Sequence, residues 1–105
     1  MKKYRIKVTD EALLDLNTIH QYIEEELCNP VAADHIYNSL IDGMRNLQEM
    51  PERIKLMDSE LEKERGLRRL VVGNYCIIFD IRGDVVNVIS IFYGASDIES
   101  KLRSE

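Results

Sequence analysis

The second half of the chain is punctuated in a way that leaves few folds open. Three apolar runs, residues 67–72, 75–81 and 85–93, are separated only by Gly73-Asn74 and Gly83-Asp84. A two-residue spacer containing Gly suits a tight hairpin turn, because such turns need positive φ. The runs are rich in β-branched and aromatic residues: Val71, Val72, Ile77, Ile78, Phe79, Ile81, Val85, Val86, Val88, Ile89, Ile91 and Phe92. They predict a three-strand antiparallel meander. Their near-continuous apolarity predicts that both sheet faces are at least partly covered.

The first half has other periods. Residues 3–8 alternate, with Lys3, Arg5 and Lys7 on one side and Tyr4, Ile6 and Val8 on the other. That is a half-buried strand with a basic outer face. Thr9-Asp10-Glu11 supplies a cap and an acidic first turn, so a helix is predicted from about residue 10. Its apolar stripe is Ala12, Leu13, Leu16, Ile19, Ile23 and Leu27, at three- and four-residue steps. Asn29-Pro30 opens a second helix. Ala33, Ile36, Tyr37, Leu40, Met44 and Leu47 form its stripe. Gly43 interrupts it at about 1 kcal/mol relative to Ala; close approach to the first helix would explain it, and a simple weak spot is the alternative. Pro51 ends the second helix near residue 50. The short connection predicts an antiparallel helical pair.

Residues 52–66 read as a surface loop with one helical turn, and a short terminal helix or frayed end is expected from Ser96. The predicted fold is α+β. An N-terminal strand precedes an antiparallel helical hairpin, which packs on a largely antiparallel sheet completed by the meander. Residues 1–105 form a single domain. The sheet face opposite the helices, with Cys76, Ile78 and Asp80, is expected to look outward and to need a cover, for which a partner protein is one candidate.

The net charge of −5 argues against a simple basic nucleic-acid binder. Its distribution qualifies that. Residues 8–44 contain no Lys or Arg, yet carry Asp10, Glu11, Asp15, Glu24, Glu25, Glu26, Asp34 and Asp42. Basic residues flank this block. The sheet side holds Lys3, Arg5, Lys7, Arg68 and Arg69, a face able to meet RNA or an acidic protein segment. No apolar run approaches a membrane span, and residues 1–7 lack the apolar core of a signal peptide. A cytoplasmic protein without a membrane role is therefore expected.

No P-loop, dinucleotide fingerprint or zinc spacing is present. His20 and Glu24 share a helix face, but a metal site needs at least three protein ligands and the chain has only two His. No metal or cofactor is expected. Cys28 and Cys76 read as reduced, inert thiols. Arg82-Gly83-Asp84 reads as a hairpin turn rather than an adhesion motif. The chemically suggestive cluster is Arg65, Arg68 and Arg69 leading into the meander, with Tyr75 and Tyr93 beyond. Arg clamps phosphate or carboxylate, and Tyr stacks or transfers a proton. The competing reading pairs an edge Arg with the acidic helices.

Several segments together resemble one family. They are the Ala12-Leu13-x-x-Leu16-x-x-Ile19-x-x-Tyr22-Ile23 helix, Asn29-Pro30-x-Ala32-Ala33, and Met50-Pro51-Glu52-Arg53. To these add residues 66–75 (Gly-Leu-Arg-Arg-Leu-Val-Val-Gly-Asn-Tyr) and Tyr93-Gly94-Ala95-Ser96-Asp97. In this order they resemble the ParE/RelE superfamily of toxins from bacterial type II toxin–antitoxin systems. The resemblance implies a growth-arresting toxin neutralised by a cognate antitoxin, touching operator DNA only through that antitoxin. ParE-like members poison DNA gyrase without evident chemistry, whereas RelE-like members cleave mRNA on the ribosome. Nuclease members carry Arg after the aromatic of the second meander strand, where this chain has Cys76. They also carry a His or Tyr near the end of the last strand and an Arg three residues on. Here these positions are Tyr93 and Ser96.

Arg69 and Tyr93 are thus the catalytic candidates left. The expected target or antitoxin surface comprises Lys3, Arg5, Lys7, Arg65, Arg68, Arg69, Arg82 and Tyr93. The resemblance favours a gyrase-directed toxin. A ribosome-dependent mRNA interferase is the alternative, and a degenerate member acting only through antitoxin binding is the third reading.

Overall fold

A computed structural model describes residues 3–94. The predicted element from Ser96 lies outside the described residues. In chain order the elements are β1 (Arg5–Val8), α1 (Asp10–Gln21), a π-helical turn (Tyr22–Glu26), α2 (Pro30–Asn46), a 3-10 turn (Pro51–Arg53), α3 (Glu60–Glu64), β2 (Arg68–Val72), β3 (Tyr75–Arg82) and β4 (Val85–Tyr93). The α+β fold with its N-terminal strand, helices and mostly antiparallel sheet is as expected.

Local chemistry explains the boundaries. The Thr9 hydroxyl accepts the Ala12 N–H at 3.1 Å, and the Asn29 side chain accepts the Ala32 N–H at 3.1 Å. Each cap satisfies a donor that has no intrahelical partner. Gly73 and Gly83 have φ of 58° and 61°, as the first position of a II′ hairpin turn requires.

The sheet order is β1-β4-β3-β2, with β1 parallel to β4 and the other pairs antiparallel. β1 ends opposite Val88, so the last residues of β4 have no strand on that side. The turn into α1 replaces it. Thr9 N–H donates to the Val88 carbonyl at 3.0 Å, and its hydroxyl donates to Ile89 O at 3.0 Å. Asp15 Oδ2 accepts the Ile91 N–H at 3.1 Å. Polar groups that would otherwise lie on an open edge are thereby satisfied.

Three apolar clusters hold the layers together. Ala12 and Leu16 of α1 and Leu40 and Met44 of α2 pack on Ile77, Val88 and Ile91. Tyr4, Leu47, Phe79 and Val86 form a second group. Met57 and Leu67 pack on Cys76 and Ile78. This third group corrects an expectation. Cys76, Ile78 and Asp80 are buried rather than outward-facing. The segment before β2 folds over Cys76 and Ile78, fixed by a bridge between Leu56 and Arg68 and by Met57 N–H donating to Leu67 O at 2.9 Å. The chain supplies its own cover there.

Other local readings also change. Leu13 and Leu27 are exposed, so the buried stripe of the first helix narrows to Ala12, Leu16, Ile19 and Ile23. Gly43 faces the sheet, not α1: a Cβ there would lie 2.9 Å from Val72 Cγ2. α2 stops at Asn46 rather than near residue 50. The reason is that Gln48 O accepts the Tyr4 N–H at 2.8 Å and Glu49 bridges to Lys3. Backbone that would have continued the helix instead extends the pairing beside β1. No helix among the described residues is long and apolar enough to cross a membrane.

Candidate functional site

The ends of β2, β3 and β4 converge where Tyr75 pairs with Tyr93, Cys76 with Phe92, and Val71 with Cys76. Side chains directly opposite one another share a face. Arg69 lies two residues before Val71 on that same β2 face. The period-two alternation of the meander therefore brings Arg69, Val71 and Cys76 together. Tyr93 pairs with Tyr75 on the opposite face and borders them at the end of β4. These residues, with Gly73, Asn74 and Gly94, line an open pocket of about 300 Å³. Gly94 N–H donates to Asn74 O at 2.7 Å and closes its rim.

The two catalytic candidates thus share one pocket. Their surroundings set what they can do. Burial pushes the Cys76 thiol up from its ordinary value of 9.0, with Arg69 pulling the other way. The thiol is neutral at physiological pH and brings no charge to the pocket. Tyr75 is also raised, first by burial and then by the neighbouring Tyr93 and Tyr22 phenols. Its ring meets Tyr93 edge to face, with centroids 5.3 Å apart. Tyr93 itself is 68% exposed.

The remaining basic candidates do not converge on this pocket. Arg68 is committed to structure: its guanidinium donates to the carbonyls of Glu52, at 3.3 Å, and Ile54. Glu52 also receives the Tyr4 hydroxyl, a bond that holds the Tyr4 phenol above its ordinary 10.0, with burial and the carboxylate charge adding to it. Arg5 pairs with Asp84 at 3.4 Å, and Arg82 with Asp80 at 3.2 Å. Asn87 donates to the other Asp80 oxygen at 2.9 Å. The predicted basic face is therefore partly neutralised. Lys3 before β1 and Lys7 within it are exposed, and Arg65 is exposed at the end of α3.

On the helical side His20 links the two helices. Its Nε2 lies 2.9 Å from Asp34 and its Nδ1 3.4 Å from Glu24, while its ring packs edge-on against Tyr37. Among the described residues no group of three or more His, Cys, Asp or Glu is arranged to hold a metal ion.

A second concavity went unread in the sequence. It is an apolar groove of about 530 Å³ lined by Thr18, Ile19, Tyr22, Ile23, Leu27, Tyr75 and Tyr93. Its wall depends on the π-helical turn, for which the helical spacing carries no signal.

Comparison with known proteins agrees with this geometry. The family described as the ParE toxin of the type II toxin–antitoxin system, parDE, matches residues 6–98. A search of curated proteins finds no significant match. Among solved structures, the chain is similar to one from the chromosomal ParDE toxin–antitoxin system of P. aeruginosa. That match has a TM-score of 0.74 and 20% identity, covering 89% of this chain and 98% of the other. It is also similar to a chain of the toxin–antitoxin complex RelBE2 from Mycobacterium tuberculosis. There the TM-score is 0.67 at 19% identity, covering 91% and 97%. At such identities the structures establish the fold, while the family match spans nearly the whole sequence. The chain belongs to the ParE toxin family of type II toxin–antitoxin systems.

Proposed function

We propose that this toxin arrests growth by binding an essential protein target, DNA gyrase first among them, and that a cognate antitoxin neutralises it. The observation that carries this reading is the composition of the Arg69–Tyr93 pocket. Ribonucleolytic cleavage needs a base for the ribose 2′-hydroxyl, cations for the phosphate and an acid for the leaving 5′-oxygen. This pocket offers one guanidinium, one exposed phenol and a neutral thiol. Loss of a single preorganised charge-stabilising group typically lowers the rate about 100–1000-fold. Arg68, the nearest substitute in sequence, is engaged with the carbonyls of Glu52 and Ile54. A toxin that acts by occupying a protein surface needs none of these groups.

The second reading, a ribosome-dependent mRNA interferase, draws support from one fact: Arg69 and Tyr93 line the same pocket. Inducible expression in the absence of antitoxin separates the two. Growth arrest with a DNA-damage response and intact mRNA is expected. Arrest with rapid codon-positioned mRNA cleavage and no damage response would replace the gyrase reading with the interferase one. Unimpaired growth at high expression would leave only the antitoxin-binding reading.

A further inference from the structure

A cleft of about 460 Å³ lies between the two long helices, apart from the sheet. Asn17 and His20 of α1 line it from one side, and Asp34, Tyr37 and Asn38 of α2 from the other. Spacings of three and four residues put each set on one helix face. All five side chains carry a hydrogen-bonding group. The buried positions of the same helices, Ala12, Leu16, Ala33, Leu40 and Met44, are apolar, so the cleft is not an extension of the core.

Its charge is unbalanced. His20 sits between two carboxylates, with Asp34 2.9 Å from Nε2 and Glu24 3.4 Å from Nδ1. A neutral imidazole has one N–H and donates to only one of them; an imidazolium sets a single positive charge against two negative ones. In either state the group stays negative. Among the described residues Asp34 and Glu24 form ion pairs with His20 alone. Residues 8–44 contain no Lys or Arg that could complete the neutralisation. The Asp34 side chain is 71% exposed, open to a cation from outside.

A guanidinium matches this lining. It presents five N–H donors in one plane, pairs with carboxylates and stacks on aromatic rings. The cleft offers the Asp34 carboxylate, the amide oxygens of Asn17 and Asn38, and an aromatic pair. The His20 and Tyr37 rings meet edge to face, with centroids 5.5 Å apart and planes at 83°. A lysine ammonium is compact and strongly hydrated, so it pairs with Asp34 but gains little from the rings. On the reading of the chain as a toxin that occupies a protein surface, we infer that this cleft receives an arginine side chain of the protein target.

Two measurements test this, one without a target and one with it. In the first, isotope-labelled full-length toxin is titrated with N-acetyl-arginine amide at constant ionic strength, followed by NMR at the side-chain amides of Asn17 and Asn38. Saturable shifts are expected, with Kd on the order of 10 mM. N-acetyl-lysine amide should bind at least about threefold more weakly. Asp34→Asn should weaken arginine binding at least about fivefold. In the second, Asp34→Asn and an Asn17→Ala, Asn38→Ala double variant are assayed for inhibition of supercoiling by DNA gyrase, with circular dichroism as the folding control. Each should need about tenfold more toxin than wild type for the same inhibition.

Absence of saturable shifts up to about 100 mM arginine amide, or equal binding of the lysine and arginine probes, would overturn the guanidinium site whatever the gyrase assay gives. If Asp34→Asn loses arginine binding yet inhibits gyrase within about twofold of wild type, the target contact falls and the gyrase reading stands. If arginine binds as expected but the wild-type chain does not inhibit gyrase, the gyrase reading falls, and with it the assignment of the arginine to that target. If the variants lose antitoxin binding and keep gyrase inhibition, the arginine belongs to the antitoxin and the inference falls.

Discussion

The two ends of the sheet are finished in opposite ways. At the end where β3 stops and β4 begins, the chain closes on itself. Tyr4 donates to Glu52, Arg68 donates to the carbonyls of Glu52 and Ile54, and Pro51 is buried beneath them. Met50 takes a left-handed conformation at φ 50° so that this loop can turn. Phe79, Val86, Leu47 and Tyr4 fill the space below. At the other end, Tyr75 and Tyr93 meet edge to face beside Tyr22 and Leu27, and three of these four are largely exposed. One end satisfies its polar groups and buries its apolar ones. The other leaves apolar surface in water, where burial stabilises only once a partner arrives. Packing and internal hydrogen bonds concentrate at the first end, while the second keeps apolar surface exposed.

This contrast can be broken by paired measurements. The largest effect is expected at the closed end. Phe79→Ala removes a fully buried ring and should lower unfolding free energy by about 3–5 kcal/mol, read by urea denaturation. Arg68→Ala should follow at about 1–3 kcal/mol, because it leaves two carbonyls without their donor. If Arg68→Ala instead abolished toxicity at unchanged stability, Arg68 would belong to the target surface, and the division between the ends would fail.

Cys76 gives a smaller, pH-dependent signal. Its folded pKa is raised above 9.0, first by burial, so the folded state favours the neutral thiol. That contribution is complete below about pH 9 and disappears as pH rises through the higher folded value. The stability gap between wild type and Cys76→Ala should therefore be flat from about pH 6 to 8 and narrow above about pH 9. In alkylation at neutral pH, exposed Cys28 should react well before buried Cys76. The smallest effect on stability is expected from Tyr93→Ala, within about 0.5 kcal/mol. A loss there comparable to Phe79→Ala would show that the open end also carries the fold.

Much of the architecture was legible because side-chain period and turn chemistry are local. Alternation in residues 3–8 located β1, the caps at Thr9 and Asn29-Pro30 located two helix starts, and two Gly-containing dipeptides located the meander. The site was legible only in part. Arg69 and Tyr93 were candidates and both line one pocket, although alternation places Arg69 with Cys76 and Tyr93 with Tyr75 on opposite faces. Arg68 adjoins Arg69 in sequence, yet its role follows from a loop sixteen residues earlier. Leu27 fits the helical stripe by spacing, but one extra residue in the turn moves it to the groove. No short-range pattern encodes either outcome.

By itself, the sequence determined the element types, their order, the α+β class and the acidic character of residues 8–44. These depend on backbone propensity and on charges that read directly from the chain. Only the tertiary structure decided that β1 runs parallel beside β4, that residues 56–67 cover Cys76 and Ile78, and that Gly43 meets Val72 rather than the first helix. Tertiary contacts also decided which cations remain available and which are consumed by Asp80, Asp84 and the loop before β2. The physical reason is common to all of these. They are contacts between distant parts of the chain, whose free energy depends on shape and distance after packing and not on any neighbouring residue.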